Sequence, residues 1–410
     1  MTFDHALCHR ARRDFPALTR DQNGYRIAYL DGPGGTQVPS QVIDAVAQYY
    51  RRSNANSHGT FVTSAETDQI LEDAREATAR FLGAPSANEI SFGANMTTLN
   101  FSLSRALAKD MKPGDEIVIT ALDHEANRGP WLGLRDGGIV IREVELAADG
   151  TLELEQFERL INERTRLVAV GMASNALGTV TELSLIRHLS RAVGAHLLVD
   201  AVHYAPHFPV NVVDDDVDFL LCSAYKFYGP HVGVLYARPG LLDTLDTERL
   251  CVQEQHAPFR IETGTLNHAS LAGVAAAVEY VASWGQGASL EERVASAMRS
   301  ISTYEHGLAK RYYDGLLDID GVTIWGPGFD AERRAPTVSI TVEGMTAREA
   351  AQALAEKGIA VWDGHFYALR AVEALGLAER GGLLRVGVSM YNTAEEIERL
   401  LEAIREIAQR

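Results

Sequence analysis

Cysteine is scarce in this 410-residue chain: Cys8, Cys222 and Cys251 are odd in number, far apart and form no CxxC pair. That excludes a disulfide-built fold, gives no thiolate zinc signature and fits a reducing cytoplasm. The thirteen histidines are scattered, with no HExxH or other metal-ligand spacing. Positive charge is also in deficit, with 38 Lys and Arg against 55 Asp and Glu and a net charge of −17. Nucleic acid and anionic membranes call for a basic surface, so neither is an expected partner. A small anionic ligand stays open, because it depends on local groups. No apolar run reaches the roughly 18–20 residues of a membrane span. The first twenty residues, "MTFDHALCHRARRDFPALTR", hold no apolar core region or small-residue cleavage site, so no secretory signal is expected. Internal repeats and low-complexity segments are missing as well.

What is present is a soluble, globular composition, 46% hydrophobic and 23% charged, in a chain too long for one ordinary core. Between about 65 and 245 the pattern alternates. "SAETDQILEDAREATARFLG" predicts an amphipathic helix with Ser64 as N-cap and Gly83 as C-cap. "EISFG", "DEIVITA", "TRLVAVGMAS", "AHLLVDAV", "VDFLLCSA" and "GVLYA" predict strands, with "MTTLNFSLSRALAKD", "LEQFERLINE" and "LSLIRHLSRAVG" as helices between them. Strands apolar throughout and separated by helices predict a mostly parallel sheet buried on both faces. From about 270 a long amphipathic helix leads into a strand–helix–strand–helix pattern, a smaller α+β unit. The expected division is 1–20 as a segment joining the small unit, 21–270 as the large α/β domain and 271–410 as the small domain.

The chemistry gathers at predicted strand ends, where open α/β sheets place their ligands. Asp200 ends "HLLVD" and Lys226 follows "DFLLCSA", between two tyrosines. A charged residue between apolar strands is costly without a partner. One reading is a buried Asp–Lys ion pair, with Asp200 otherwise a turn cap. The other is a lysine in Schiff-base linkage to pyridoxal phosphate, with the aspartate keeping the pyridine nitrogen protonated. A phosphate cradle is available in "SFGANMTTLNFSL": the backbone N–H groups of Asn95, Met96 and Thr97 open a helix, beside the Thr97 or Thr98 hydroxyl.

Taken in order, "YLDGPGGTQVPSQVIDAV", "ALDHEANRGPW", "SNALGTVTE", "VDAVHYAPH", "SAYKFYGPHVGVLY", "RIETGTLNHAS" and "LLRVGVSMYNTAEEIERL" resemble the class V aminotransferase-like branch of fold-type I pyridoxal phosphate enzymes. That branch holds cysteine desulfurases, selenocysteine lyases and isopenicillin N epimerase-like proteins. The resemblance implies a large domain with a mostly parallel seven-stranded sheet plus a small C-terminal α+β domain. It implies that Lys226 forms the Schiff base and that Asp200 faces the pyridinium. His124 stacks on the cofactor ring, and Asn175 hydrogen-bonds near the 3-hydroxyl. His203, where many desulfurases carry glutamine, donates to the phenolic oxygen. Ser223 joins the Asn95–Thr97 turn at the phosphate, and Tyr225 and Tyr228 wall the cofactor or hydrogen-bond to it. Thr265 reaches the phosphate of the neighbouring subunit, which implies an obligate homodimer with shared active sites. Arg385 either clamps the substrate carboxylate or serves as an ion pair between domains. Asn56, His58 and Phe61 line the substrate side.

One motif departs from the branch. Its desulfurases carry a nucleophilic cysteine in a segment like Arg-x-Gly-His-x-Cys. The aligned "VWDGHFYALRAVEALGL" keeps Gly364 and His365, but Trp362 stands at the arginine position and Tyr367 at the cysteine position. A persulfide relay needs a reactive thiolate, which tyrosine lacks. Tyr367 and His365 act on a leaving group as acid or base, or simply pack on their loop. The expected activity is therefore β-elimination at the C–S bond of cysteine or a cysteine S-conjugate, without a persulfide-forming cysteine. Transamination, epimerisation and decarboxylative deamination in a biosynthetic pathway are the alternatives. A non-catalytic cofactor-binding partner protein is the alternative from another class.

Overall fold

The structure, a computed structural model, describes residues 3–330 and 333–409. A short strand, β1 (Ala28–Tyr29), precedes the main alternation. Strands β2 (Ile90–Gly93), β3 (Glu116–Thr120), β4 (Val140–Val144), β5 (Thr165–Gly171), β6 (His196–Asp200), β7 (Phe219–Ser223) and β8 (Gly233–Ala237) form a seven-stranded sheet. Its order is β2-β8-β7-β6-β5-β3-β4. Strand β8 runs antiparallel to both its neighbours, and the pairings from β7 to β4 are parallel.

Alternating side chains of these strands enter two apolar layers. Val118, Val168, Val199, Leu220, Cys222 and Val234 face one layer, and Ile117, Leu167, Leu198, Leu221 and Leu235 the other. Helix Met96–Ala108 covers the second face, while Val62–Leu82, His268–Ala282 and Leu290–Leu317 contribute to the first. Burial on both sides accounts for strands with no polar alternation. Strand β4 has no named counterpart in the sequence reading. Its Arg142 and Glu143 interrupt the apolar run, and it lies half-buried at the sheet edge.

One predicted boundary is corrected. Helix Val62–Leu82 begins two residues before Ser64, with Phe61 at the N-cap. Ser64 is buried instead, donating to the Asn56 carbonyl at 2.6 Å and accepting from the Gly59 N–H at 2.6 Å. Gly83 caps the other end in the left-handed region at φ 65°, a conformation open to glycine without strain.

Beyond helix Leu290–Leu317, strands β9 (Val322–Trp325), β10 (Thr337–Val342), β12 (Trp362–Gly364) and β13 (Leu383–Gly387) make an antiparallel sheet in the order β9-β10-β13-β12. A further short strand, β11 (Ile359–Ala360), leaves this unit and pairs in parallel with β1. The dividing line drawn at 270/271 falls inside helix His268–Ala282. The N-terminal segment reaches the C-terminal unit: Cys8 donates to the Asn392 carbonyl at 3.0 Å, and Arg12 meets Glu396 at 2.7 Å. Among the described residues, no helix is long and apolar enough to cross a membrane.

Candidate active site

Parallel strands direct their C-terminal ends to one rim, so the residues just after β2, β3, β5, β6 and β7 converge there. A cavity opens at that rim. It is lined by Asn95, Met96, Thr97, His124, Asn175, Asp200, His203, Ser223, Tyr225 and Lys226, ten residues picked out from the sequence. Asp123, Gly171, Ser174 and Val202 line it too and were not anticipated. Asp123 carried a signal, since it is a carboxylate beside His124 at the end of a predicted strand.

Lys226 lies in a single 3₁₀ turn after β7 and is 7% exposed. Its Nζ donates to the Pro33 carbonyl and lies 5.1 Å from the Tyr225 ring centroid. Burial, reinforced by the Arg385 charge and opposed by Asp31 and Asp200, pushes this amine down to about 7. The reverse holds for Asp200. Burial, with Asp123 nearby, pushes its carboxyl up to about 7, against the Val202 N–H it accepts at 2.9 Å and the Lys226 charge. Asp123 is likewise pushed up to about 6 by burial, despite hydrogen bonds from Thr120 and Gly171.

The opposite wall opens helix Met96–Ala108. The Asn95 side chain caps it by accepting from the Thr98 N–H at 2.9 Å, and the Met96 N–H donates to Ser223 Oγ at 3.3 Å. Strand β8 passes directly behind this turn: a Cβ on Gly233 would overlap the Asn95 carbonyl carbon. His203 pairs through Nε2 with the Thr337 hydroxyl at 3.0 Å. Its Nδ1 has no partner among the described residues, and burial holds the ring well below the usual histidine range. Burial, with Lys226 and Arg385 adding to it, likewise pushes His124 down to about 4, so its ring is neutral at neutral pH.

A loop from the small unit covers the rim. Phe366, Ala368, Ala371 and Val372 pack against Leu122, Ala176 and Leu177. The Tyr367 carbonyl accepts from the Glu125 N–H at 2.7 Å, and Arg370 meets Glu143 at 2.7 Å. Tyr367 stacks on His124 with centroids 5.4 Å apart, while His365 Nδ1 accepts from the Tyr367 N–H at 3.1 Å. Asn175 is on the cavity wall as expected, yet its Nδ2 is committed to the Phe366 carbonyl at 2.8 Å. Phe366 and Tyr367 both adopt positive φ, 55° and 60°, which these contacts sustain.

Other expected residues lie off the cavity. Arg385 is enclosed beside Asp31. Thr265 is exposed in a separate hollow with Thr98, Ser102 and His231. Asn56, His58 and Phe61 are exposed at the start of helix Val62–Leu82, where His58 meets Asp68 at 3.5 Å. None of them reaches the wall within one chain.

Pyridoxal phosphate fits the donor set of this cavity. A buried amine is available to its aldehyde, a buried carboxylate with one N–H donor lacks only a cationic ring nitrogen, and a helix start with a serine hydroxyl suits its phosphate.

Comparison with known proteins agrees with that chemistry. The aminotransferase class-V family model matches residues 28–400. A cysteine desulfurase of Pectobacterium atrosepticum is 33% identical over 97% of each chain. A probable cysteine desulfurase of Mycolicibacterium paratuberculosis is 35% identical, over 97% of this chain and 58% of the relative. Among solved structures, the apo cysteine desulfurase of Thermococcus onnurineus superposes with a TM-score of 0.86 at 30% identity, covering 98% of both chains. The S-sulfonic acid form of the cysteine desulfurase CsdA from Escherichia coli also gives 0.86, at 26% identity and the same coverage.

Proposed function

The chain belongs to the class V aminotransferase family of pyridoxal phosphate-dependent enzymes, and on that premise we propose that it cleaves the C–S bond of cysteine or a cysteine S-conjugate by β-elimination, without passing the sulfur to a protein thiol. One observation carries this reading: the cavity wall presents a buried amine and no cysteine. Cys8 and Cys222 are buried in the core, and burial pushes both thiols up. Cys251 is exposed, away from the cavity, and Tyr367 occupies the loop over its rim.

Lys226 would hold the cofactor, Asp200 its ring nitrogen, His203 Nδ1 its phenolic oxygen, and the Asn95–Thr97 turn with Ser223 its phosphate. Once bound, the cofactor supplies an electrophilic carbon for the substrate amine and a sink for charge developing at Cα. A lysine near 7 is about half uncharged at neutral pH, against almost none for an ordinary lysine, so Lys226 Nζ takes the Cα proton. Arg385 binds the α-carboxylate. The Cβ–S bond then breaks with its electron pair on sulfur, and the Tyr367 phenol or His365 protonates the departing thiolate. The balance is cysteine plus water giving pyruvate, ammonia and hydrogen sulfide; a conjugate releases its thiol instead. The neutral His124 ring adds no charge beside the cofactor. Exposed Thr265 supports a homodimer in which each copy completes its neighbour's phosphate site, and three unpaired thiols support a cytoplasmic setting.

The test incubates the loaded protein with cysteine and S-substituted cysteines, then identifies the products by mass spectrometry. Pyruvate with free thiol or sulfide is expected, and borohydride should trap the cofactor at Lys226. A keto acid retaining the sulfur would mean transamination, and Cα deuterium exchange in recovered substrate would mean epimerisation. A persulfide on any cysteine, or a reducible chromophore surviving in Lys226→Ala, would refute the assignment.

A further inference from the structure

Arg385 is a cation of this site that stops short of the cavity wall. It is 3% exposed. Its Nη2 meets Asp31 Oδ1 at 2.7 Å, its Nη1 donates to the Asn175 carbonyl at 3.2 Å, and the Phe366 ring centroid lies 4.4 Å from the guanidinium carbon. Nε has no partner among the described residues. A carboxylate of the chain thus already holds the group that a substrate carboxylate needs.

The segment that delivers this carboxylate is fastened to both units. Strand β1 pairs with β11, and Asp31 bridges to Gly387, two positions after Arg385. On the other side, the Thr36 N–H donates to the Tyr225 carbonyl at 3.1 Å, and the Pro33 carbonyl accepts from Lys226. The turn closes tightly on its own acid: a Cβ on Gly34 would collide with the Asp31 carboxylate. One five-residue turn therefore sets an acceptor against each of the two cationic side chains that would handle an amino acid.

The geometry points to Asp31 as an internal competitor, whose carboxylate occupies Arg385 until the α-carboxylate of an amino-acid substrate displaces it. The inference rests on reading Arg385 as the substrate's carboxylate partner. Two carboxylates crowding one enclosed guanidinium repel each other in a low-dielectric setting, so one must give way. Only a ligand with its own carboxylate restores what Arg385 loses, whereas an amine without one leaves the Asp31 pair intact. Asp31 therefore lowers the affinity for amino acids and narrows the margin by which they are preferred over simple amines.

The experiment titrates the pyridoxal phosphate-loaded protein with L-alanine, which has no β-leaving group, and with ethylamine, which lacks the carboxylate. Binding is followed by the change in visible absorption, independent of turnover. Asp31→Asn keeps an oxygen acceptor for Arg385 but removes the charge. It should lower the apparent Kd for L-alanine by about fivefold or more while leaving ethylamine within about twofold. Asp31→Ser, with a smaller neutral acceptor, should move the same way, and thermal melts confirm that either variant is folded. Weaker or unchanged L-alanine binding in a folded variant overturns the proposal, as does equal tightening of both ligands. Arg385→Lys separates the two layers. If it leaves the alanine-to-ethylamine ratio unchanged, Arg385 is not the carboxylate partner and the competitor falls with it. If it shifts that ratio while Asp31→Asn does nothing, only the competitor falls.

Discussion

Replacing Asp200 by asparagine should stabilise the cofactor-free protein, and the gain should grow with pH. In the unfolded chain this carboxyl ionises near 3.8, whereas in the folded protein burial holds its proton up to about 7. Between those values the folded state binds more protons than the unfolded state, so stability falls as pH rises. The displacement is roughly three units, and each unit corresponds to about 1.4 kcal/mol, so the full penalty is about 4 kcal/mol above pH 7. At pH 5 less than half of it is in force, because the unfolded carboxyl is only about one unit past its midpoint. Asparagine still accepts the Val202 N–H, so little is lost in exchange. Lys226 titrates in the opposite sense, pushed down from 10.5 to about 7, and its contribution rises with pH between those values. It is present in both proteins, so most of its own titration cancels in the difference between their curves. Urea unfolding of the two cofactor-free proteins at one fixed concentration, at pH 5 and pH 8, should show a gap that widens by about 2–3 kcal/mol. Parallel pH dependences, or a variant less stable than the parent at pH 8, would refute the claim that this carboxylate is buried without a counter-charge until the cofactor supplies one.

Two further perturbations probe the walls of the site. Gly233→Ala forces a Cβ into the Asn95 carbonyl carbon and displaces the helix start from Ser223. Cofactor affinity, read by fluorescence quenching, should weaken by about tenfold while the helical circular dichroism is kept; unchanged affinity would remove that turn from the phosphate site. Arg370→Ala removes a partly exposed pair with Glu143, worth roughly 0.5–1 kcal/mol, that ties the covering loop to β4. Amide exchange over 365–369 should accelerate while exchange in β6 and β7 does not, and a loop equally protected in the variant would show that its apolar contacts alone hold it.

The residues legible in the sequence are those with a local signature. Asp200 and Lys226 follow apolar strands directly, and Asn95–Thr97 open a helix after a glycine turn, so strand ends alone bring them to one rim. Strand β4, with charges mid-strand, and β1, β11 and β12, each two or three residues long, give no periodic signal to read. Ser64 misled because a serine just ahead of an amphipathic run is the usual N-cap signal, while its hydroxyl is drawn instead to the preceding loop. Arg385 was read as either a carboxylate clamp or an ion pair, and nothing near it in the chain reveals Asp31. Asn175 was identified by position, yet the loop that claims its Nδ2 lies 191 residues away. Such partnerships are written only in tertiary packing.

The bond between Asp31 and Arg385 joins residues 354 positions apart. On a ribosome, that distance becomes a sequence of events. The sheet, Asp200, Lys226 and the helix that opens at Met96 all emerge long before Arg385 is made, whereas the groups that steady His203 and Asn175, Thr337 and the Phe366 carbonyl, come late. Synthesis in this direction lays down the buried amine and carboxylate first, and the groups that brace their neighbours last.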